Sequence, residues 1–367
     1  MVHGPCGGVR FDGACEIGTL PCPFVHAPFV TPSIHVHPVP LSLRPRPAAP
    51  PLHPLVPPDG APPVATGSAG SAAPWSPARP LVLADIPVPA LDVEALRRTA
   101  AGMAGVVDAA LTGDHGGERV QLPPVLRAQV LAAEGLAPWI GLNCRDRNRV
   151  ALEGELAGLA AVGVAAVHCV TGDHTRTGDR PDALPVFDLD STELVALAAA
   201  RGLTASVAET PLAPPVDARP ARLAVKAAAG ASVCIVNHTG SAEVVAAFVA
   251  SARAALTHFE AIGATCGPYR LEVAAAMTFL ACVPVVVSPG SAAALRSFAG
   301  MVTPPGLLDR VLAARDPWET GVAEAVRFAE SVLAVPGVDG VDLSGVAAPG
   351  EEPALARAMS EVARRLR

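Results

Sequence analysis

From residue 80 onward, short β-branched runs alternate with helical stretches rich in Ala, Leu and Arg, and this alternation constrains the fold more than any other feature. "LVLADIP" precedes a helix from Val93, "GVVDAAL" one from about Leu122, and "WIGLNC" one from Arg147. "AAVHCVTGD" precedes a helix from Ser191, "LTASVAE" one from Arg219, and "ASVCIVN" one from Ala242. A seventh strand is expected at "FEAIGATCG", and an eighth at "VDGVDLSG", before the helix in "EEPALARAMSEVARRLR". The stretch 301–335 should add helices before that last strand. Strands that alternate with helices pair in parallel, because each helix carries the chain back to the start of the next strand.

Eight such units predict a (β/α)8 TIM barrel over residues 80–367. A doubly wound sheet is disfavoured, because no GxGxxG follows the first strand. Two other textures precede the barrel. Residues 27–79 are dominated by Pro and Ala and read as an extended linker of polyproline type. Residues 1–26 are Gly- and Cys-rich.

Hydrophobic residues make up 51% of the chain but aromatic ones only 4%, so the helices must pack through small side chains. A net charge of −7 argues against a nucleic-acid surface. Apolar runs such as "FLACVPVVVSP" are too short and too interrupted by Pro to span a bilayer, and no signal peptide is evident, so a cytoplasmic location is expected. Cys144, Cys169, Cys234 and Cys282 lie in apolar contexts and read as small buried hydrophobes. No disulfide framework is expected.

In a barrel the loops after the C-terminal strand ends build the active site. The polar residues there are Asp85 after the first strand and Asp114, His115 and Glu118 after the second. Asn143 and Cys144 end the third, with Arg145, Asp146 and Arg147 next. Thr171, Gly172 and Asp173 end the fourth, Glu209 and Thr210 the fifth, and Asn237 and His238 the sixth. Asp and Asn also cap helices at such junctions; Asp190 with Glu193 has capping-box spacing. Six tips polar together suit a polar ligand that needs proton transfer and hydrogen-bond readout. Arg145 and Arg147 read either as phosphate ligands or as an ion-pair turn around Asp146.

The segment 142–198, "LNCRDRNRV…VHCVTGDHTRTGDRPDALPVFDLDSTELVALA", resembles the methylenetetrahydrofolate reductase family. There "CRDRN" follows the third strand, "GD" ends the fourth, and a "VFDLDS"-like segment leads into the next helix. "KAAAGASVCIVN" and "GVDGVDL" extend the resemblance more weakly over most of residues 80–365. It implies a flavin-containing barrel reducing 5,10-methylenetetrahydrofolate to 5-methyltetrahydrofolate in one-carbon and methionine metabolism, with FAD as cofactor and NAD(P)H as donor. It implies Asp85 and Asp173 as catalytic residues. Thr171, Gly172, Asp173, His174, Arg176, Asp188 and Lys226 would contact the flavin, and Asn143, Glu209 and Asn237 the folate. Asp85 stands where the family has Glu, Asn237 where it has Gln, and "HTGS" where it has aromatic residues.

Residues 1–26 resemble the Cys-containing end of a small accessory domain found with some family members. Cys6, Cys15 and Cys22, with His3 or His26, are then candidate metal ligands; the alternative is a tail packed on the barrel. The departures keep a second reading open, a non-catalytic or repurposed barrel that binds folate or flavin. A third, an aldolase-type lyase, lacks a Lys at a strand end. A homo-oligomer or a partner subunit is compatible with each.

Overall fold

The computed structural model describes residues 79–113, 117–261, 265–266, 269–270, 277–296 and 301–367. The expectations for residues 1–78, Cys6, Cys15 and Cys22 included, and those for Asp114 and His115, lie outside these. Eight parallel strands close into a barrel in which each pairs with its successor and the last pairs with the first. They are β1 (Leu81–Asp85), β2 (Ala109–Thr112), β3 (Pro138–Asn143), β4 (Ala166–Val170), β5 (Ala205–Glu209), β6 (Ala231–Val236), β9 (Thr278–Pro284) and β10 (Gly340–Ser344). Between β6 and β9, the short β7 (Thr265–Cys266) and β8 (Tyr269–Arg270) form an antiparallel pair.

The seventh barrel strand is therefore Thr278–Pro284 and not "FEAIGATCG". Phe259 to Ala261 still belong to the preceding helix, and Thr265–Cys266 pair with Tyr269–Arg270 outside the barrel. The run "TFLACVP" is continuously apolar because both faces of a parallel strand are covered.

The helices are α1 (Val93–Met103), α2 (Pro124–Ala133), α3 (Arg149–Val162), α4 (Ser191–Ala200), α5 (Arg219–Ala228) and α6 (Ala242–Ala261), then α7 (Pro289–Arg296), α8 (Leu307–Ala313), α9 (Pro317–Leu333) and α10 (Glu352–Arg365). Their starts are written locally. Asp92 accepts from the Ala95 N–H, Asn148 from Ala151 and Asp316 from Glu319, while Asp190 and Glu193 form a reciprocal capping box before α4. Helix α3 stops at Gly163, whose φ of 79° is left-handed.

Side-chain parity divides the core in two. Leu81, Leu83, Leu111, Trp139, Val233, Ile235 and Leu280 point into the barrel, while Val82, Ala84, Ile140, Val167, Cys234 and Val341 point out against the helices. Cys144, Cys169, Cys234 and Cys282 are free thiols, all buried. Helix α6, at 20 residues, is long and apolar enough to cross a membrane, but Val245, Phe248, Val249, Ala252 and Leu256 lie buried in the core shared with the strands.

Candidate active site

Six inward-pointing residues near the C-terminal strand ends remain partly open: Asp85, His168, Val170, Ala208, Thr210 and Asn237. Their partners farther down are closed off, so the opening narrows onto a floor of Trp139, Leu83 and Ile235. Glycines bring β2 and β3 close together at one side of the mouth. Gly141 lies so close to β2 that a Cβ would meet the Gly113 Cα at 2.7 Å. Arg127 reaches from α2 to tie these two strand ends, donating to the carbonyls of Gly113 (2.6 Å) and Gly141 (3.4 Å).

Asp85, on the inward parity of β1, shares this mouth with Asp342 of β10. Burial raises the Asp85 pKa first, the Asp342 charge adds to it, and the Arg127 guanidinium opposes both. Asp342 is 3% exposed and its pKa is also raised by burial. Its Oδ2 accepts from the Cys282 thiol at 3.5 Å, while Oδ1 has no hydrogen-bond partner among the described residues. The thiol is held protonated by burial and by the adjacent carboxylate.

Below the opposite rim, His168 Nδ1 lies 2.9 Å from Ser206 Oγ, which also accepts from Trp139 Nε1 at 2.8 Å. The Ser206 hydroxyl also lies 3.4 Å from the Val167 carbonyl, a second acceptor for its proton. Burial, helped by the Lys226 charge, lowers the His168 pKa to about 4, so the ring is neutral near pH 7. His238 is likewise lowered to about 4 by burial, with Nε2 at 2.8 Å from Ser344 Oγ.

The residues expected to bind ligand divide sharply. Asn143 and Asn237 have the inward parity of β3 and β6. Asn143 Oδ1 also receives the Asp146 N–H, and Asn237 bridges Thr210 Oγ1 and the His238 N–H. Asp173 is half-buried, its carbonyl 3.5 Å from Arg145 Nη1. Gly172 takes a φ of 90°, and a Cβ there would press on Asn143 and Arg145. Arg176 is exposed, with no carboxylate paired to it among the described residues.

Glu209 and Lys226 are elsewhere. Glu209 follows the outward parity of β5 and meets Lys226 Nζ at 2.6 Å and Arg219 Nη1 at 3.6 Å, behind the barrel wall. The expectation that Glu209 reads the folate and Lys226 the flavin phosphate is corrected by that parity: Lys226 is only 7% exposed and turns inward, its ammonium spent on Glu209 and the Ala208 carbonyl. Thr171, His174 and Asp188 hold the loop together. Thr171 Oγ1 accepts from the Ser191 N–H, His174 Nδ1 from Arg176 and Asp188 Oδ2 from Arg149. Arg145 and Asp146 form a two-point ion pair at 2.7 Å, so the turn reading holds for them. Among the described residues no cluster of three metal-ligating side chains occurs.

Sequence reasoning misses Asp342, Cys282, His168 and Ser206, although the alternation in "GVDLS" and "AVHCV" puts Asp342 and His168 on the inward parity. Two grooves lie outside the mouth. One of about 370 Å³ runs between α1 and α10 past Arg98 and Arg357, and the other crosses the rim at Leu91, Val120 and Arg180.

No protein-family model matches the sequence, and no curated protein does. Among solved structures the chain is similar to an uncharacterized protein from Clostridium thermocellum that binds two copies of 5-methyl-5,6,7,8-tetrahydrofolic acid, at 8% identity and a TM-score of 0.50, over 77% of this chain and 93% of that one. It is also similar to the long-chain alkane monooxygenase LadA, at 11% identity and a TM-score of 0.46, over 78% and 92% of the two chains. A third is dihydropteroate synthase from Thermus thermophilus, at 18% identity and a TM-score of 0.41, over 77% and 93%. At these identities the first likeness is one of fold.

Proposed function

We propose that this chain is a divergent, cytoplasmic reductase of the methylenetetrahydrofolate type, converting 5,10-methylenetetrahydrofolate to 5-methyltetrahydrofolate with FAD as hydride carrier and NAD(P)H as donor. The observation that carries the proposal is Asp85, a carboxyl at the tip of β1 that burial and a neighbouring negative charge keep protonated. Opening the five-membered ring of the folate requires such an acid. The Asp85 proton goes to N10, the bond from N10 to the methylene carbon breaks with its electron pair on nitrogen, and N5 supplies the lone pair that makes the iminium. An aspartate of ordinary acidity would be ionised near pH 7 and could not donate.

The donor set suits a planar heterocycle. Asn143 and Asn237 present amides, each with donor and acceptor. For FAD, which when bound would accept hydride from the nicotinamide and pass it to the folate, Gly172, Asp173 and Arg176 are the residues that would hold it. Asp173 then places a negative charge near the iminium, and Arg176 offers a cation to the diphosphate. The likeness to a methyltetrahydrofolate-binding protein is one of fold, so the proposal rests on Asp85 and on the resemblance around "VTGD" rather than on that neighbour.

A second reading, a folate- or flavin-binding barrel without turnover, is favoured by one observation. Thr171, His174, Asp188 and Lys226 are all committed to structural bonds. The visible spectrum of the purified protein, with analysis of any released cofactor, separates the two. Bound FAD that NADH bleaches and methylenetetrahydrofolate reoxidises supports the reductase, and Asp85→Asn should then slow the folate step by about 10²–10⁴-fold. A colourless protein that takes up no FAD sinks it.

A further inference from the structure

Asp342 lies in the "GVDGVDL" segment, to which the resemblance assigns no role, yet it is a buried carboxyl on the inward parity of the last strand. It sits on the last strand, paired in register with Leu83 of β1 and Cys282 of β9, and so next to Asp85 only because the barrel closes. A carboxyl 3% exposed, with one oxygen unpartnered, is costly unless something else faces it. What faces it is the mouth. The thiol of Cys282 fixes Oδ2, which leaves Oδ1 as the oxygen available to a proton or a ligand.

We infer that Asp342 is the charge partner of Asp85: inward on adjacent strands, the pair carries a single proton, so that the mouth holds one negative charge before proton transfer and two after it. This rests on the proposed use of Asp85 as the acid. It narrows the ligand class to a planar nitrogen base that arrives neutral and becomes cationic on taking the proton. The doubled negative charge then stabilises the cation that proton transfer creates, which is where electrostatic help accelerates a reaction. The cost is that the acid must be recharged by one proton from solvent in each cycle.

Few other groups face the pair. Cys282 on β9 stays a thiol, and Arg127 from α2 is the cation that limits the rise of the Asp85 pKa. His168 on β4 and His238 beyond β6 are neutral near pH 7. Asp342 acts on the ligand only through its charge and through Asp85, so it is a positioning residue.

The test is a carboxyl ¹³C NMR titration of the full chain labelled at aspartate, without substrate, comparing the parent protein with Asp342→Asn and Asp85→Asn. In the parent, Asp85 is expected to titrate well above an exposed aspartate. In Asp342→Asn its midpoint should fall by about one unit, a tenfold change in acidity, burial still holding it above the ordinary range. A raised Asp85 midpoint that Asp342→Asn leaves in place overturns the inference alone. An ordinary Asp85 midpoint in the parent overturns both the inference and the proposed acid. A raised, coupled pair in a protein that turns over no folate retains the inference and overturns the reductase. Should Asp342→Asn not fold, Cys282→Ala keeps both carboxyls and removes the thiol donor. The Asp342 midpoint should then rise and shift the Asp85 midpoint with it, and an Asp85 midpoint that stays in place overturns the pairing.

Discussion

Lys226 Nζ and Glu209 Oε1 stand 2.6 Å apart in the space between β5 and α5, with Arg219 closing the far side of the carboxylate at 3.6 Å. Arg219 in turn donates to the carbonyls of Ala213 and Pro214, so one buried cluster ties the β5 tip to the loop that follows it. The Glu209 carbonyl also receives the Asn237 N–H at 2.8 Å, which links the cluster to the mouth. Removing one partner strands a buried charge. Lys226→Met should cost about 3 kcal/mol in urea unfolding, and adding Glu209→Gln should restore most of it. If the single variant is as stable as the parent, the cluster does not hold the loop.

Each of the two buried histidines should remove stability as pH falls from about 6.5 to 4. The folded pKa of His238 is depressed to about 4, so this contribution is fully present above the unfolded value near 6.5 and is lost as pH falls through the folded value. For one such ring the loss is about 3 kcal/mol, and His168 adds a second of the same sign. Asp85 acts oppositely: its raised folded pKa makes it stabilising at low pH, with the benefit lost as pH rises through that pKa. Asp342, also raised by burial, acts in the same sense as Asp85, so the carboxyl and histidine contributions offset between pH 7 and pH 5. His238→Gln removes one histidine contribution and should raise the urea midpoint at pH 5 relative to that at pH 7.

Ser206→Ala should destabilise the barrel beyond the loss of one hydroxyl. It leaves the Trp139 indole N–H and His168 Nδ1 without the oxygen they share, both inside the barrel. The expected cost is about 2 kcal/mol. Because His168 would lose its neutral-form partner, its ¹⁵N-detected pKa should move. An unchanged ring signal would show that the bond to Ser206 is not formed.

Gly321→Ala reverses the usual rule for helices. Ala normally stabilises a helix interior over Gly by about 1 kcal/mol. In α9 a Cβ at position 321 would lie 1.9 Å from the Val286 carbonyl oxygen, so the helix must move off the loop after β9. A lower melting temperature is expected, by several degrees; a higher one would mean that α9 does not approach so closely.

Much of this architecture is legible along the chain, for reasons that stay local. Short β-branched runs, each followed by a helical stretch, mark seven of the eight barrel strands, and the Asp190–Glu193 capping box is a four-residue signal whose geometry hardly depends on the rest of the fold. The seventh strand escapes the pattern because "ATCG" directly after a long helix has the look of a strand start, whereas "TFLACVP" lies farther on, after an intervening antiparallel pair.

At the mouth, a single step of parity separates a ligand-facing residue from a structural one. Glu209 and Thr210 are neighbours, yet Glu209 meets Lys226 and Arg219 behind the wall while Thr210 meets Asn237 at the mouth. Thr171, His174 and Asp188 are polar because a 3-10 turn and two helix starts need acceptors there.

What the sequence by itself determined is the run of strand, loop and helix, with the caps that start the helices and a polar tip on nearly every strand, because each depends on neighbours a few residues away. Only the tertiary structure decided which carboxyls stay neutral and which are ion-paired. Asp85 and Asp342 come from the first and last strands, and they meet because barrel closure puts those strands side by side. Their acidity follows from the burial and like charge that closure creates, and neither is a property of residues adjacent in the chain.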